Sequence, residues 1–202
     1  MIDGNIWICT VGSGLHVFST NFKHIASWGM EVYTVLYVKE SESVIALTPQ
    51  GLFVFNSDII CAYRPGVLVP KASIYNETGS LTLTMGVVIQ DIGTHGRTKT
   101  EVWLCSRREP VFKILHPPDF QTMDSVYCDK ECPRIVRLMQ TIEVKDKLAL
   151  IVANLNIIEL WDVEQRQIKE TFNVMEPCKE LYHNGDKCKI YFVCHILYRC
   201  AR

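Results

Sequence analysis

Short apolar runs recur along the whole chain. Each is rich in Val, Ile, Leu, Trp, Phe or Tyr and is closed by Gly, Ser, Asn, Asp or Pro, the pattern of β-strands separated by tight turns. Asn5-Ile6-Trp7-Ile8-Cys9-Thr10 is followed by a Gly12-Ser13-Gly14 turn, then by Leu15-His16-Val17-Phe18-Ser19-Thr20 and a further run over 22–28. The same phrase returns as a run over 32–38, Ser43-Val44-Ile45-Ala46-Leu47-Thr48, a turn at Pro49-Gln50-Gly51, Leu52-Phe53-Val54-Phe55-Asn56-Ser57 and a run over 59–63. The two Gly-Leu-x-Val-Phe units start at Gly14 and Gly51, 37 residues apart. Glu101-Val102-Trp103-Leu104-Cys105-Ser106 repeats the wording of residues 5–10, and a fourth unit combines 148–153 with Ile157-Ile158-Glu159-Leu160-Trp161-Asp162-Val163 and a last run over 168–174.

Units of four short strands at a period of about 40 residues are the signature of β-propeller blades. Burial points the same way. In 52–55 every side chain is hydrophobic, so the strand needs cover on both faces. Helices usually provide that cover in parallel sheets, but the connections here are too short for crossover helices, so neighbouring strands are antiparallel hairpins. Stacked blades cover such a sheet on both sides, whereas a two-sheet sandwich would leave polar outer faces. The expected architecture is all-β, an antiparallel β-propeller segment of about four blades and incomplete. It comprises a partial blade over 5–28, a complete one over 32–64, a divergent one over 72–115 and a fourth over 134–174. Residues 64–80 and 116–133 read as loops, the second with room for one short helix. Ile135, Leu138, Met139 and Ile142 fit both helical and strand spacing.

At Trp161-Asp162 the pattern gains a resemblance. Residues 158–163 resemble the third strand of a WD-repeat blade. Residues 5–10 followed by Gly14-Leu15-His16-Val17-Phe18 resemble the degenerate blades of large signalling proteins, two groups of which are the leucine-rich-repeat (Roco) kinases and the Rho guanine-nucleotide exchange factors. The resemblance spans residues 5–174. Only one strand ends in Trp-Asp and no Gly-His opens a unit, so the buried His–Asp network of regular WD repeats is absent or altered. The resemblance implies a protein-binding scaffold whose kinase or exchange domain lies outside this chain.

Composition narrows the function further. The 202 residues are 48% hydrophobic and 21% charged, which excludes wholesale disorder, and 21 Lys and Arg against 22 Asp and Glu lack the basic footprint of a nucleic-acid binder. The run over 6–11 is too short for a signal peptide, and Asn154, Asn156 and His195 interrupt the longest apolar stretches well below the length of a membrane span. Nine cysteines, an odd number, with Cys9, Cys61 and Cys105 inside apolar runs, fit reduced thiols in a cytoplasmic setting. The Asn76-Glu77-Thr78 sequon is then a chance match. Residues 1–175 are read as blades and 176–202 as a basic, Cys-rich tail or partial blade. Its last 24 residues carry five Lys or Arg against two acids, net +3, enough for weak contact with an acidic lipid surface or partner, although a solvated end is the simpler reading.

Candidate chemistry is sparse. Gly12-Ser13-Gly14-Leu15-His16-Val17 begins like a dinucleotide fingerprint but lacks the third Gly and runs into a strand, not a helix. Cys128 and Arg134 have phosphatase-loop spacing, yet Asp129 and Glu131 would repel a phosphate and Pro133 removes a backbone donor. Cys178, His183, Cys188, Cys194, His195 and Cys200 lack the close Cys pair of a zinc knuckle. His16 reads as a core histidine. His24, His95 and His116 have no carboxylate pattern beyond Asp91 and Asp119, so no catalytic residue, metal ligand or cofactor is assigned. Trp7, Trp103 and Trp161 are placed between blades as core. Arg97, Arg107 and Arg108, in turns that flank the Trp103 strand, are the candidate partner-binding residues, because exposed Arg docks carboxylates and phosphates. The expected function is a non-catalytic protein-interaction or regulatory module that pairs through its loops, with dimerisation or pairing with further blades open. The alternative is an enzyme or ligand site in the propeller channel.

Overall fold

The alternating runs form nineteen strands in five separate sheets, seen in a computed structural model that describes residues 1–10, 12–58, 66–75, 83–92, 99–106, 111–120, 123–127, 136, 138–144, 147–153, 157–174, 180–184, 189–193 and 198–201. The strands are β1 (Asn5–Thr10), β2 (Gly14–Ser19), β3 (His24–Trp28), β4 (Thr34–Val38), β5 (Ser43–Thr48), β6 (Gly51–Asn56), β7 (Gly66–Val67), β8 (Ala72–Tyr75), β9 (Leu83–Ile92) and β10 (Lys99–Ser106). They continue with β11 (Val111–Leu115), β12 (Met123–Tyr127), β13 (Leu138–Val144), β14 (Lys147–Ala153), β15 (Ile157–Asp162), β16 (Gln167–Asn173), β17 (Glu180–Asn184), β18 (Lys189–Val193) and β19 (Tyr198–Ala201). The only helical element among the described residues is a 3-10 turn, Lys39–Ser41.

The second, third and fourth sheets are antiparallel, in the orders β4-β5-β6-β8, β9-β10-β11-β12 and β13-β14-β15-β16. The first is β1-β2-β3 with β7 added parallel to β3, and the fifth is β17-β18-β19. The second, third and fourth of these are four-stranded blades, and the first, read as a partial blade over 5–28, gains a fourth strand, β7, from the segment over 64–80 read as loop, so the chain is a partial β-propeller. Blade limits differ from the sequence reading in two further places. The second blade takes its outer strand from β8 and so extends to Tyr75, inside a segment read as loop, while 59–65 lie outside the described residues. The third runs from β9 to β12 and ends at Tyr127, inside the other segment read as loop. In both cases the outer strand is short and mixed in polarity (Ala-Ser-Ile-Tyr, Met-Asp-Ser-Val-Tyr), because it covers only the rim and needs little apolar surface. The ambiguous stretch near 135–142 resolves as β13, whose Met139 and Ile142 pack into the cores on either side of the fourth sheet.

The cores sit between successive sheets, and side-chain alternation divides each strand between two of them. In β5, Val44 and Ala46 face the first sheet with Leu15, Val17, Phe53 and Phe55, while Ile45 and Leu47 face the third with Val102, Leu104 and Leu115. In β10, Trp103 and Cys105 turn the other way, toward Leu150, Val152 and Trp161 of the fourth. Every residue of β5 is buried, which is why its sequence shows no polar alternation. The Gly12-Ser13-Gly14 turn is a turn, as read. Gly14 has φ 96°, and a Cβ there would lie 2.1 Å from the Trp28 carbonyl oxygen, so β2 enters its sheet only with Gly at this position.

Candidate functional site

The densest polar constellation among the described residues lies between the third and fourth blades. It begins with a repeated local phrase, Glu-x-Trp, in β10 and β15. Residues two apart in a strand share a face, so Glu101 and Trp103 project together, as do Glu159 and Trp161. Trp103 Nε1–H donates to Glu101 Oε2 at 2.9 Å, and Trp161 Nε1–H donates to Glu159 Oε2 at 2.9 Å. All four residues are buried. The two indoles meet edge to face at 6.5 Å, and Phe112 packs on Trp161 at 5.1 Å and on Trp103 at 5.7 Å. A buried indole N–H needs an acceptor and a buried carboxylate needs donors, so each Glu-x-Trp pair meets part of both requirements.

Cations complete the site. Lys99 Nζ lies 2.5 Å from Glu101 Oε1, and Arg166 Nη2 donates to the same oxygen at 3.0 Å from the neighbouring blade. The other arm of Arg166 donates to Asp124 Oδ2 at 3.1 Å, and that oxygen is also 3.0 Å from His116 Nε2. The Trp-Asp dipeptide positions the arginine. Asp162 Oδ1 accepts from the backbone N–H groups of Glu164 at 3.1 Å and Gln165 at 3.0 Å, closing a turn that Arg166 leaves in the left-handed region at φ 55°. The aspartate of Trp161-Asp162 thus serves this turn, and His116 has a carboxylate partner that spacing alone did not show.

Burial pushes the Glu101 carboxyl toward its neutral form, but donors from Lys99, Trp103 and Arg166 outweigh it, and Glu101 titrates below the usual carboxylate range. Hydrogen bonds from His116 and Arg166 lower Asp124 as well. Burial works against the charge of Arg166, yet Glu101 and Asp124 hold its pKa above the ordinary value. The result is a charge-compensated clamp between two blades. An ionised carboxylate held by three donors has no proton to give and little tendency to accept one near neutrality, so the arrangement suits mechanical coupling better than acid–base chemistry.

Of the residues singled out from sequence, Trp103 and Trp161 lie between blades as expected, and Trp7 is half-buried against Phe55 of the second blade. His16 is half-buried, with Nε2 3.3 Å from Ser13 Oγ and its ring near Phe18 and His24. Cys9 is exposed although its run is apolar, whereas Cys105 is buried. Arg97, Arg107, Arg108, the Cys128–Arg134 spacing and Cys178, Cys188, Cys194 and His195 lie outside the described residues. Among the described residues no group of three or more His, Cys, Asp or Glu is placed to hold a metal ion, and no helix is long and apolar enough to cross a membrane.

Known proteins bear on the fold alone. No family model matches the chain, and no curated protein matches its sequence. The WD40 domain of Neurospora crassa Pan2 superposes with a TM-score of 0.62 at 14% identity, over 94% of this chain and 52% of that one. The structure of BBS1N in complex with ARL6DN aligns over 95% of this chain and 71% of that one at 10% identity, but its TM-score of 0.46 carries no argument. The chain spans about half the length of the Pan2 domain it matches. Its fold is that of a WD40-like β-propeller segment.

Proposed function

We propose that the chain is a non-catalytic protein-interaction module within a larger cytoplasmic signalling protein, of the kind represented by Roco kinases and Rho exchange factors. The observation that carries this reading is the Glu101–Arg166–Asp124 clamp. The charged groups gathered between the third and fourth blades are spent on each other and on the Trp103 indole, joining blades into a rigid platform and leaving recognition to the loops. Arg97, Arg107 and Arg108, which flank the residues of β10 in sequence, are proposed as the partner-binding residues, with acidic protein segments as their targets. The basic tail adds at most a weak contact with anionic lipid.

Affinity purification of the tagged protein from cytoplasmic extract, beside an Arg97→Ala, Arg107→Ala, Arg108→Ala triple variant, tests this reading. A specific partner recovered by the parent and lost from a variant of unchanged Tm supports it. Hydrolase or transferase turnover by the purified chain, with no partner recovered, overturns it in favour of a catalytic channel.

A further inference from the structure

A second polar meeting place lies in the second blade, away from the clamp. Lys71 stands just before β8, where its backbone N–H donates to Val54 O at 2.7 Å. In the sheet order β4-β5-β6-β8 its side chain reaches past β6 to the first residue of β5. There Lys71 Nζ donates to Ser43 Oγ at 2.7 Å. The Ser43 hydroxyl proton is already committed, since Oγ donates to Ser41 O at 2.8 Å. The hydroxyl therefore only accepts from Lys71. Among the described residues no carboxylate lies within ion-pair distance of this amine, in contrast to Lys99, which Glu101 holds.

A lysine beside a serine can activate the hydroxyl as a nucleophile, but not in this arrangement. Ser43 is 0% exposed, so no substrate reaches its Oγ, and its proton points at a carbonyl. The group left for chemistry is the amine. Lys71 is exposed as a residue although its Nζ is docked on the sheet. Burial pushes its ammonium toward the neutral form, and the nearby charge of Glu42 opposes this without cancelling it. A neutral amine that gives one N–H to Ser43 carries its lone pair on another corner of the nitrogen. That lone pair is clear of the hydroxyl and free to attack an electrophile.

We propose that Lys71 is an acylation site that takes its acyl group from small thioesters. Nζ attacks the thioester carbonyl carbon, the C–S bond breaks, and one amine proton passes to the departing thiolate. The products are an acyl-lysine amide and a free thiol. The amide keeps a single N–H, which still donates to Ser43 Oγ, so the second blade retains that bond. The surface beside Glu42 loses a positive charge. The modification is thus a charge switch that leaves the blade folded. It goes beyond the interaction-module reading and does not depend on the arginine turns.

The test incubates the 202-residue protein with acetyl-coenzyme A and follows acetylation of each lysine by site-resolved mass spectrometry, at low total modification. Lys113 is the internal reference, because it makes the same kind of bond, Nζ to Ser125 Oγ at 2.8 Å, on an exposed surface. Lys71 is expected to react about threefold faster than Lys113 or more. Each unit lost from an amine pKa raises its neutral fraction about tenfold, and lower intrinsic nucleophilicity offsets part of that gain. Ser43→Ala releases the amine from the sheet and should bring Lys71 down to the Lys113 rate. Glu42 is exposed and makes its fold contacts through its backbone, so Glu42→Gln removes only the charge that favours the ammonium and should speed Lys71. Equal rates at Lys71 and Lys113 in the parent overturn the inference. So does a Lys71 rate unmoved by Ser43→Ala in a variant of unchanged Tm, or a rate slowed by Glu42→Gln. If Ser43→Ala does not fold, Glu42→Gln and the parent ranking decide.

Discussion

The first blade and the pair formed by the third and fourth blades start from nearly the same words. Asn5-Ile6-Trp7-Ile8-Cys9 and Glu101-Val102-Trp103-Leu104-Cys105 differ most in their first letter and in their neighbours. In the third blade the Trp103 indole N–H finds Glu101, the Glu finds Lys99 and Arg166, and the ring is sealed against Trp161 and Phe112. In the first, Asn5 replaces the Glu and gives its side-chain amide to the Asp3 carbonyl at 3.4 Å. The Trp7 indole nitrogen is buried without a hydrogen-bond partner among the described residues, and Cys9 is exposed. One strand phrase thus yields a sealed indole with an acceptor or a half-buried indole without one among the described residues.

Truncating the indoles should separate the two regions most strongly. Trp103→Ala is expected to cost about 3–5 kcal/mol in urea unfolding, since it empties the centre of a sealed core. Trp7→Ala should cost roughly half as much, because less of its surface leaves water on folding. Equal losses would show that the first blade is as closed as the third.

Glu101→Gln comes next. It keeps the shape of the side chain and removes the charge that Lys99 and Arg166 compensate, for an expected loss of about 1.5–3 kcal/mol near pH 7. Its pH dependence has a defined sign. The folded-state pKa of Glu101 lies below the unfolded value, so its stabilisation is fully present above the ordinary carboxylate range and is lost as pH falls from about 5 through the lowered folded pKa. Unfolding curves across that window should be flatter for the Gln variant than for the parent. Parallel curves would remove Glu101 from the acid response.

Arg166→Met leaves Lys99 and the Trp103 N–H on Glu101 and should cost about 1–2 kcal/mol, discounted because the guanidinium is partly exposed. The loss should shrink when Glu101 is already Gln, and a double-mutant cycle measures that coupling. The smallest expected effect is a gain. Asn5→Glu places a carboxylate two residues before Trp7, as in both buried pairs, and should raise stability by about 0.5–1 kcal/mol, read as a higher Tm. No gain would mean that the Glu-x-Trp phrase stabilises only when a neighbouring blade supplies the cation.

Much of this architecture was legible in the sequence, and the reasons are local. Residues 43–48 and 52–55 have no polar face, and with two-residue connections that leaves few solutions other than stacked antiparallel sheets. The outer strands β8 and β12 were not legible, because a rim strand buries so little that its composition matches a loop. The clamp was half legible. Glu-x-Trp stands twice in the sequence, at 101–103 and 159–161, and could have been noticed as a repeated same-face pair. Arg166 gave no such signal, since its partner Glu101 lies 65 residues away on another blade.

The amino-acid sequence by itself determined the strands, their hairpin order and the side each residue presents, because alternation and turn chemistry act over a few residues. It also determined the turn at Asp162 that carries Arg166. Tertiary structure alone decided which buried charges meet and which of two similarly worded tryptophan strands is sealed. Those outcomes depend on which blade stands next to which, and contacts between residues so far apart along the chain leave no periodicity to read.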